Sequence, residues 1–138
     1  GKWRTLTDNE WDYLCTGRTD ALSKWGFATV DGVFGLVFLP DSWTTPSGCA
    51  FTSDHNINST DSYTTTQWAA MEAAGALFLP AAGRRYDITV NYVGSYGYYW
   101  SSTVYDSGSA FYLYFNSGNL STSNNAHYSG YSVRLVCE

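Results

Sequence analysis

The sequence predicts an α+β domain, with two short helices in its first half and a β-rich, loop-rich second half. Three observations predict it. Thr7-Asp8-Asn9-Glu10 and Thr64-Thr65-Thr66-Gln67 both carry the hydroxyl-x-x-Glu/Gln pattern of a helix capping box. Ala110-Phe111-Tyr112-Leu113-Tyr114-Phe115 alternates at period two, as a strand with one buried face does. Outside the two capped segments no helical period is found.

In the first helix Leu6 and Trp11 stand at the positions of a hydrophobic staple, Trp11, Leu14 and Cys15 share one face, and Gly17 is a natural stop. In the second, Tyr63 and Trp68 make the staple, Met71 follows on the same side, Ala69, Ala70, Ala73 and Ala74 raise helix propensity, and Gly75 ends it. Gly35-Leu36-Val37-Phe38-Leu39-Pro40 and Gly75-Ala76-Leu77-Phe78-Leu79-Pro80 are near repeats that read as short buried strands stopped by proline. In 110–115 the alternation puts Phe111, Leu113 and Phe115 inward and Tyr112 and Tyr114 outward. Asn116-Ser117-Gly118-Asn119 reads as a turn. Ser121 to Ser129 reads as a polar loop, and Ser132 to Val136 as a closing strand with Val133 and Leu135 on one face. The chain reads as one domain over 1–138, the C-terminal part of a longer protein.

Composition narrows the function classes. At 138 residues the chain can bury roughly 68% of its unfolded surface, enough for a core of its own. A net charge of −5 with only 7 Lys plus Arg excludes a phosphate-tracking nucleic-acid binder. No apolar run reaches membrane-helix length, so direct membrane insertion is not expected in this segment. Cys15, Cys49 and Cys137 fit neither a disulfide framework nor a zinc pattern; one bridge plus a thiol, or three buried thiols, are both open.

Chemical motifs are sparse. Asp54-His55-Asn56-Ile57-Asn58 with Asp61 resembles the start of a calcium loop, but Ser59 and Thr65 stand where Gly and Glu are needed, which leaves a polar surface loop. His55 and His127 have no partner at zinc-ligand spacing. There is no GxSxG elbow, and a pairing of His127 with Cys49 or Cys137 would be a coincidence of composition. Asn58-Ser59-Thr60 and Asn119-Leu120-Ser121 match the glycosylation sequon in an Asn- and Ser-rich chain where chance matches are expected. Arg84-Arg85 reads as a solvated loop pair or an anion site. Arg134 reads as half of a structural ion pair with Asp87 or Glu138. No catalytic residue, metal or cofactor is expected.

What stands out is the tail. Between Ile88 and Val133 the only formally charged residue is Asp106, and nine of the 12 tyrosines lie beyond Asn91. Tyr offers large, rigid contact area at low entropic cost, while Ser, Gly and Asn offer adaptable hydrogen bonds, the composition of an antibody paratope. Tyr99 and Trp100 read as core.

Gly94-Ser95-Tyr96-Gly97-Tyr98-Tyr99-Trp100-Ser101-Ser102-Thr103, the stretch from Ala110 to Gly118, and Gly130-Tyr131-Ser132-Val133-Arg134-Leu135-Val136 resemble the C-terminal part of the Fibrobacter succinogenes major paralogous domain, common in gut Bacteroidetes. Trp3-Arg4-Thr5-Leu6-Thr7, Leu39-Pro40-Asp41-Ser42-Trp43 and Phe78-Leu79-Pro80-Ala81-Ala82-Gly83 fit as well. The resemblance covers nearly the whole chain. It implies a C-type lectin-like fold of the formylglycine-generating-enzyme type and, for many such domains, the role of a variable protein of a diversity-generating retroelement. In that role residues 94–134 form the variable ligand-binding region. Tyr96, Tyr98, Tyr105, Ser107, Ser109, Tyr112, Tyr114, Asn119, Ser121, Asn124, Asn125, Ala126, His127, Ser129 and Tyr131 are then the diversified contact positions, and Trp100, Leu113, Phe115, Leu120, Val133 and Leu135 the fixed scaffold. The paired C-terminal cysteines of the formylglycine-generating enzymes are absent, as are the carboxylate motifs of calcium lectins. The expected function is therefore non-enzymatic binding of a protein or glycan at a cell surface, as an adhesin, lipoprotein or pilus component, or at a phage tail-fibre tip. Self-association of a structural surface domain is the alternative, ahead of an enzyme of the formylglycine-generating type.

Overall fold

The computed structural model describes residues 1–56, 58, 59 and 61–137. It is a mixed α+β domain, mostly β, with two short helices. In chain order the elements are β1 (Trp3–Thr5), α1 (Asp8–Asp12), β2 (Trp25–Val30), β3 (Val33–Phe38), β4 (Ser62–Tyr63), α2 (Thr65–Ala73), β5 (Leu77–Pro80), β6 (Arg84–Tyr86), β7 (Thr89–Asn91), β8 (Gly97–Val104), β9 (Ser109–Asn116), β10 (Asn119–Ala126) and β11 (Leu135–Cys137).

Both helices start where the capping boxes place them. Thr7 accepts from the Glu10 amide while the Glu10 carboxylate accepts from the Thr7 amide, and Thr64 and Gln67 repeat the exchange. α1 runs on into a wide π turn over Tyr13–Gly17, which keeps Cys15 buried beside Trp11 and stops at Gly17 as expected. Gly75 ends α2 at φ +97°, a backbone state that favours glycine.

The Glu10 carboxylate has a second task. It takes a two-pronged hydrogen bond from Arg4, 2.6 Å at Nη1 and 2.7 Å at Nη2, so β1 is tied to α1 while it pairs with β11. The Arg4 bonds, with the Thr7 amide, hold the Glu10 carboxyl down to about 2. A depressed acid contributes stability that is present above its unfolded value near 4.5 and is lost as pH falls through the folded one. Glu10→Gln is therefore expected to lower Tm at neutral pH, with the difference from wild type closing between about pH 4.5 and 2 in a thermal-melt series. Partial exposure of both side chains keeps the effect small.

The central sheet has the order β4-β2-β3-β5. Both near-repeat segments form strands in it, and β3 pairs antiparallel with β5. It is covered on both faces, so β2 and β3 read as almost continuous apolar runs. One face packs Phe27, Leu36 and Leu79 against Trp11 of α1 and against Tyr99, Leu113 and Phe115 from the second sheet. The other packs Val37, Leu39 and Tyr63 against Met71 of α2. The second sheet, β10-β9-β8, thus lends one face to the main core and leaves the other outward.

Four expectations need correction. Residues 121–129 are no polar loop: β10 runs through Ala126, in unbroken register with β9 from Asn119↔Asn116 to Ala126↔Ser109. Ser, Thr and Asn gave no alternation to read, yet β9 supplies the partner backbone and Leu120 the inward anchor. The closing strand starts later, at Leu135. Val133 and Leu135 are 54% and 51% exposed, so they are not core scaffold, and Val136, the middle residue of β11, is the half-buried one. Arg84 and Arg85 lie in β6, not in a loop. Arg134 is exposed, not half-buried; its suggested partner Glu138 lies outside the described residues, as do Ile57 of the calcium-like stretch and Thr60 of the first sequon.

Candidate functional site

The outward face of β8–β9–β10 gathers the aromatic tail. Strand pairing sets Tyr98 opposite Tyr114 and Trp100 opposite Tyr112, and β10 adds Ser121 beside Tyr114 and Ser123 beside Tyr112. Side chains alternate through the pleat, so Tyr99, Leu113 and Phe115 go to the core while these residues share the other side. Tyr99 stacks on Phe115 at 6.3 Å underneath.

Tyr131 arrives from outside the sheet. Its segment runs alongside β8, with the Ser132 amide donating to the Tyr98 carbonyl and the Trp100 amide donating to the Ser132 carbonyl, both at 2.9 Å. The ring is thereby laid over the sheet, 4.9 Å from Tyr98, 4.6 Å from Trp100 and 4.7 Å from Tyr112. Tyr96 meets Tyr98 and Tyr114 edge-on and stacks on Tyr92 at 4.6 Å. Two amides fix hydroxyls: Asn116 Nδ2 donates to Tyr114 and Asn125 Nδ2 to Tyr131, both at 2.7 Å. Burial pushes the Tyr98 phenol up to about 12 and raises Tyr112, so both stay neutral at physiological pH.

The fifteen predicted positions do not make one surface. Tyr96, Tyr98, Tyr112, Tyr114, Ser121, Asn125 and Tyr131 come together on the tyrosine face, with Asn119 at its hairpin end. Ser109, Asn124 and Ala126 fall on the opposite side of the pleat, in register with the core-side Phe111. Tyr105, Ser107 and His127 gather at the β8–β9 turn, where the Tyr105 ring packs edge-on against Phe111 and the His127 amide donates to the Gly108 carbonyl. Tyr98, Ser129 and Tyr131 are buried, at 5%, 5% and 9% exposure. The two tyrosines are sealed by neighbouring rings, which makes them the floor of the face, and Ser129 is buried in the turn after β10, its amide donating to the Ala126 carbonyl. Trp100, expected in the core, is half-buried on the tyrosine face.

The sequence marks Arg84-Arg85 as a solvated pair or an anion site but does not connect Arg84 to the tyrosines. Arg84 lies outside the tyrosine tail, in β6, yet its guanidinium carbon is 5.5 Å from the ring centres of Tyr92 and Tyr98 and 6.0 Å from that of Tyr86. The bridge of Arg85 to Gly130 brings it there by joining the β6–β7 hairpin to the Tyr131 segment. Burial works against its charge, but a hydrogen bond with Tyr131 and the oxygens of Tyr98, Tyr131 and Tyr92 outweigh it, and the pKa stands above the ordinary value.

Other candidate chemistry has structural duties. The His55 ring stacks on Trp25 at 3.7 Å and its Nε2 lies 3.1 Å from the Trp25 carbonyl. Asp61 is buried and accepts from the Thr52 amide. None of the three cysteines is bridged: Cys15 and Cys49 are buried, Cys137 is exposed, and burial pushes the Cys15 thiol up to about 12. A surface hollow lined by Thr16, Arg18 and Ala21 holds one cation, Arg18, already engaged with three backbone carbonyls. Among the described residues no helix is long and apolar enough to cross a membrane.

Residues 64–136 match the family model described as Domain of unknown function (DUF8237). The chain belongs to that family. The matched span contains α2, the β6–β7 hairpin and all three strands of the tyrosine face. No curated protein and no solved structure matches the chain.

Proposed function

We propose that this domain is a non-enzymatic ligand-binding module of receptor or adhesin type, and that its contact surface is the tyrosine face of β8–β9–β10. The observation that carries the reading is the aromatic cluster itself, built from Tyr96, Tyr98, Trp100, Tyr112, Tyr114 and Tyr131 on one sheet face and edged by Ser121, Ser123 and Asn125. A folding core has no need of hydroxyl-tipped aromatic rings on the side of a sheet that faces away from it. Such rings give a partner rigid apolar area with hydroxyls ready to hydrogen-bond, and a few of them would carry most of the binding energy. The partner is a protein or glycan at a cell surface, and the setting is extracellular: a surface lipoprotein, a pilus-type adhesin or a phage tail tip.

The C-type lectin-like relationship and retroelement diversification belong to the same proposal. What supports them is the division of labour across the pleat: Leu113 and Phe115 hold the core, so outward neighbours can change without unfolding the domain.

The test is binding by the wild type and by Tyr112→Ala and Tyr114→Ala on arrays of glycans and extracellular proteins. Both rings are half-buried in the cluster, so a loss of about 1–2 kcal/mol in stability is expected with the fold kept. Wild-type signals should fall about 30-fold or more if the rings are anchors. Unchanged binding by both variants sinks the reading. Concentration-dependent sedimentation abolished by the same substitutions would assign the tyrosines to self-association instead. For diversification, the locus should hold a near-copy of the codons for residues 94–134, differing only at adenines, beside a reverse-transcriptase gene; without it the face is fixed.

A further inference from the structure

Arg84 is not needed to explain the tyrosine cluster, and its surroundings are unusual for a cation. Its Nε is shut off from solvent with no hydrogen-bond partner. The ion pairs found among the described residues are Arg4 with Glu10, and Arg18 and Lys24 with Asp41. No carboxylate among the described residues pairs with Arg84. The only acid between Ile88 and Val133 is Asp106, and it sits at the β8–β9 turn, accepting from the Gly108 amide at 2.8 Å. The face therefore carries a half-buried positive charge with aromatic rings around it and no anion to balance it. Ring faces attract a cation but do not replace a counter-charge, and a buried charge left unpaired is costly.

We infer that Arg84 is the anion-recognition point of the tyrosine face, and that it takes a carboxylate, sulfate or phosphate group of the ligand. A planar guanidinium presents donors in a fork that matches two oxygens of such a group, and approach along its Nε edge would satisfy the orphaned donor. The Tyr92 ring centre lies 5.5 Å from the guanidinium carbon, and Tyr92 is 47% exposed, so the rim of this site reaches solvent. The aromatic rings then exclude water around the pair and strengthen it. The inference rests on the binding role proposed for this face and adds the charge of what binds there.

The experiment is an NMR titration of the isotope-labelled domain with sodium acetate, sulfate and phosphate, at constant ionic strength against sodium chloride. The Arg84 Nε–Hε resonance reports directly on the group in question. At least one oxyanion is expected to move it saturably, while Arg85 and Arg134 stay put. In Arg84→Gln the shifts of the surrounding tyrosine signals should vanish. Arg84→Lys, which keeps charge but not the fork, should weaken binding about tenfold. The acetate arm separates a carboxylate ligand from a tetrahedral oxyanion. If no anion moves the Arg84 resonance beyond chloride, or if Arg85 and Arg134 respond equally, the inference is overturned, and Arg84 is a structural staple for the β6–β7 hairpin. The wild-type titration decides this even if Arg84→Gln fails to fold. A negative titration together with intact array binding that depends on Tyr112 and Tyr114 would remove the anion point and leave the binding face standing.

Discussion

Phe115→Ala is expected to cost about 3–5 kcal/mol, enough to leave the domain partly unfolded at moderate temperature. Phe115 is fully buried where the two sheets meet, 6.2 Å from Phe27 of the central sheet and 6.3 Å from Tyr99 of its own. Removing the ring leaves a cavity between two rigid sheets that cannot close over it. Across the strand pair Phe115 faces Gly97, and a Cβ built at Gly97 would collide with the Phe115 ring. The ring lies over the glycine and fills the space a side chain would take. Gly97→Ala should therefore destabilise by about 2 kcal/mol or more through overpacking. A smaller residue opposite should relieve it, so Gly97→Ala with Phe115→Leu should cost less than the two changes summed. Urea unfolding of the four species measures the coupling. Strict additivity would mean that Gly97 is required for some reason other than the ring. Tyr114, one residue away in the same strand, should behave oppositely, with a mild effect on stability and a large one on binding.

That contrast marks how much could be read in advance. The period-two pattern of residues 110–115 was legible because large apolar side chains separate cleanly from the outward tyrosines, and both capping boxes were legible because four residues contain the whole interaction. β10 was not. A strand of Ser, Thr and Asn has no hydrophobic period, and it is specified by the neighbour it pairs with. Val133 and Leu135 failed for the converse reason: they are apolar, but Val133 precedes the strand, and β11 pairs with β1 alone and leaves Leu135 against solvent. The tyrosine-rich stretch pointed to the candidate face, yet strand register divides its members between two sides of a sheet and a turn, which no spacing rule reveals without the hairpin register. Tyr98 and Tyr131 show a further limit. Composition suggests exposure, but tyrosines in number bury one another. Arg84 was invisible as a member of the face because it comes from a separate hairpin, held there by the Arg85–Gly130 bridge and the Gly83 amide bond to the Tyr96 carbonyl.

Arg18 was equally hidden in the sequence, and its loss should rival that of Phe115. Its side chain is only 2% exposed. Nε donates to the Leu14 carbonyl at 3.1 Å, Nη1 to Leu39 at 2.6 Å and Nη2 to Lys24 at 3.0 Å, so one guanidinium ties the turn after α1 to the start of β2 and the end of β3. The carboxylate nearby contributes less. Asp41 lies 3.5 Å away, is 54% exposed, and is shared with Lys24 and the Tyr13 hydroxyl. Arg18→Met keeps most of the bulk but removes the guanidinium bonds to three carbonyls, of which Lys24 alone is seen to keep a backbone donor, the Leu39 amide at 2.8 Å, and is expected to cost about 3–5 kcal/mol. Arg18→Lys should recover little, since an ammonium cannot reach three divergent acceptors with the geometry of the fork. Asp41→Asn, which removes only the screened charge, should cost under about 1 kcal/mol. Thermal and urea unfolding of the three variants separate the possibilities. If Asp41→Asn proves as damaging as Arg18→Met, the ion pair and not the carbonyl cradle holds this corner together. The cradle should also matter at a distance, because β3 is the strand on which both cores pack: Leu36 and Phe38 serve one and Val37 the other. Loosening its end should soften the support beneath the tyrosine face before the face itself is touched, so Arg18→Met should speed amide exchange in β3 and at Leu113 while the ring contacts above remain.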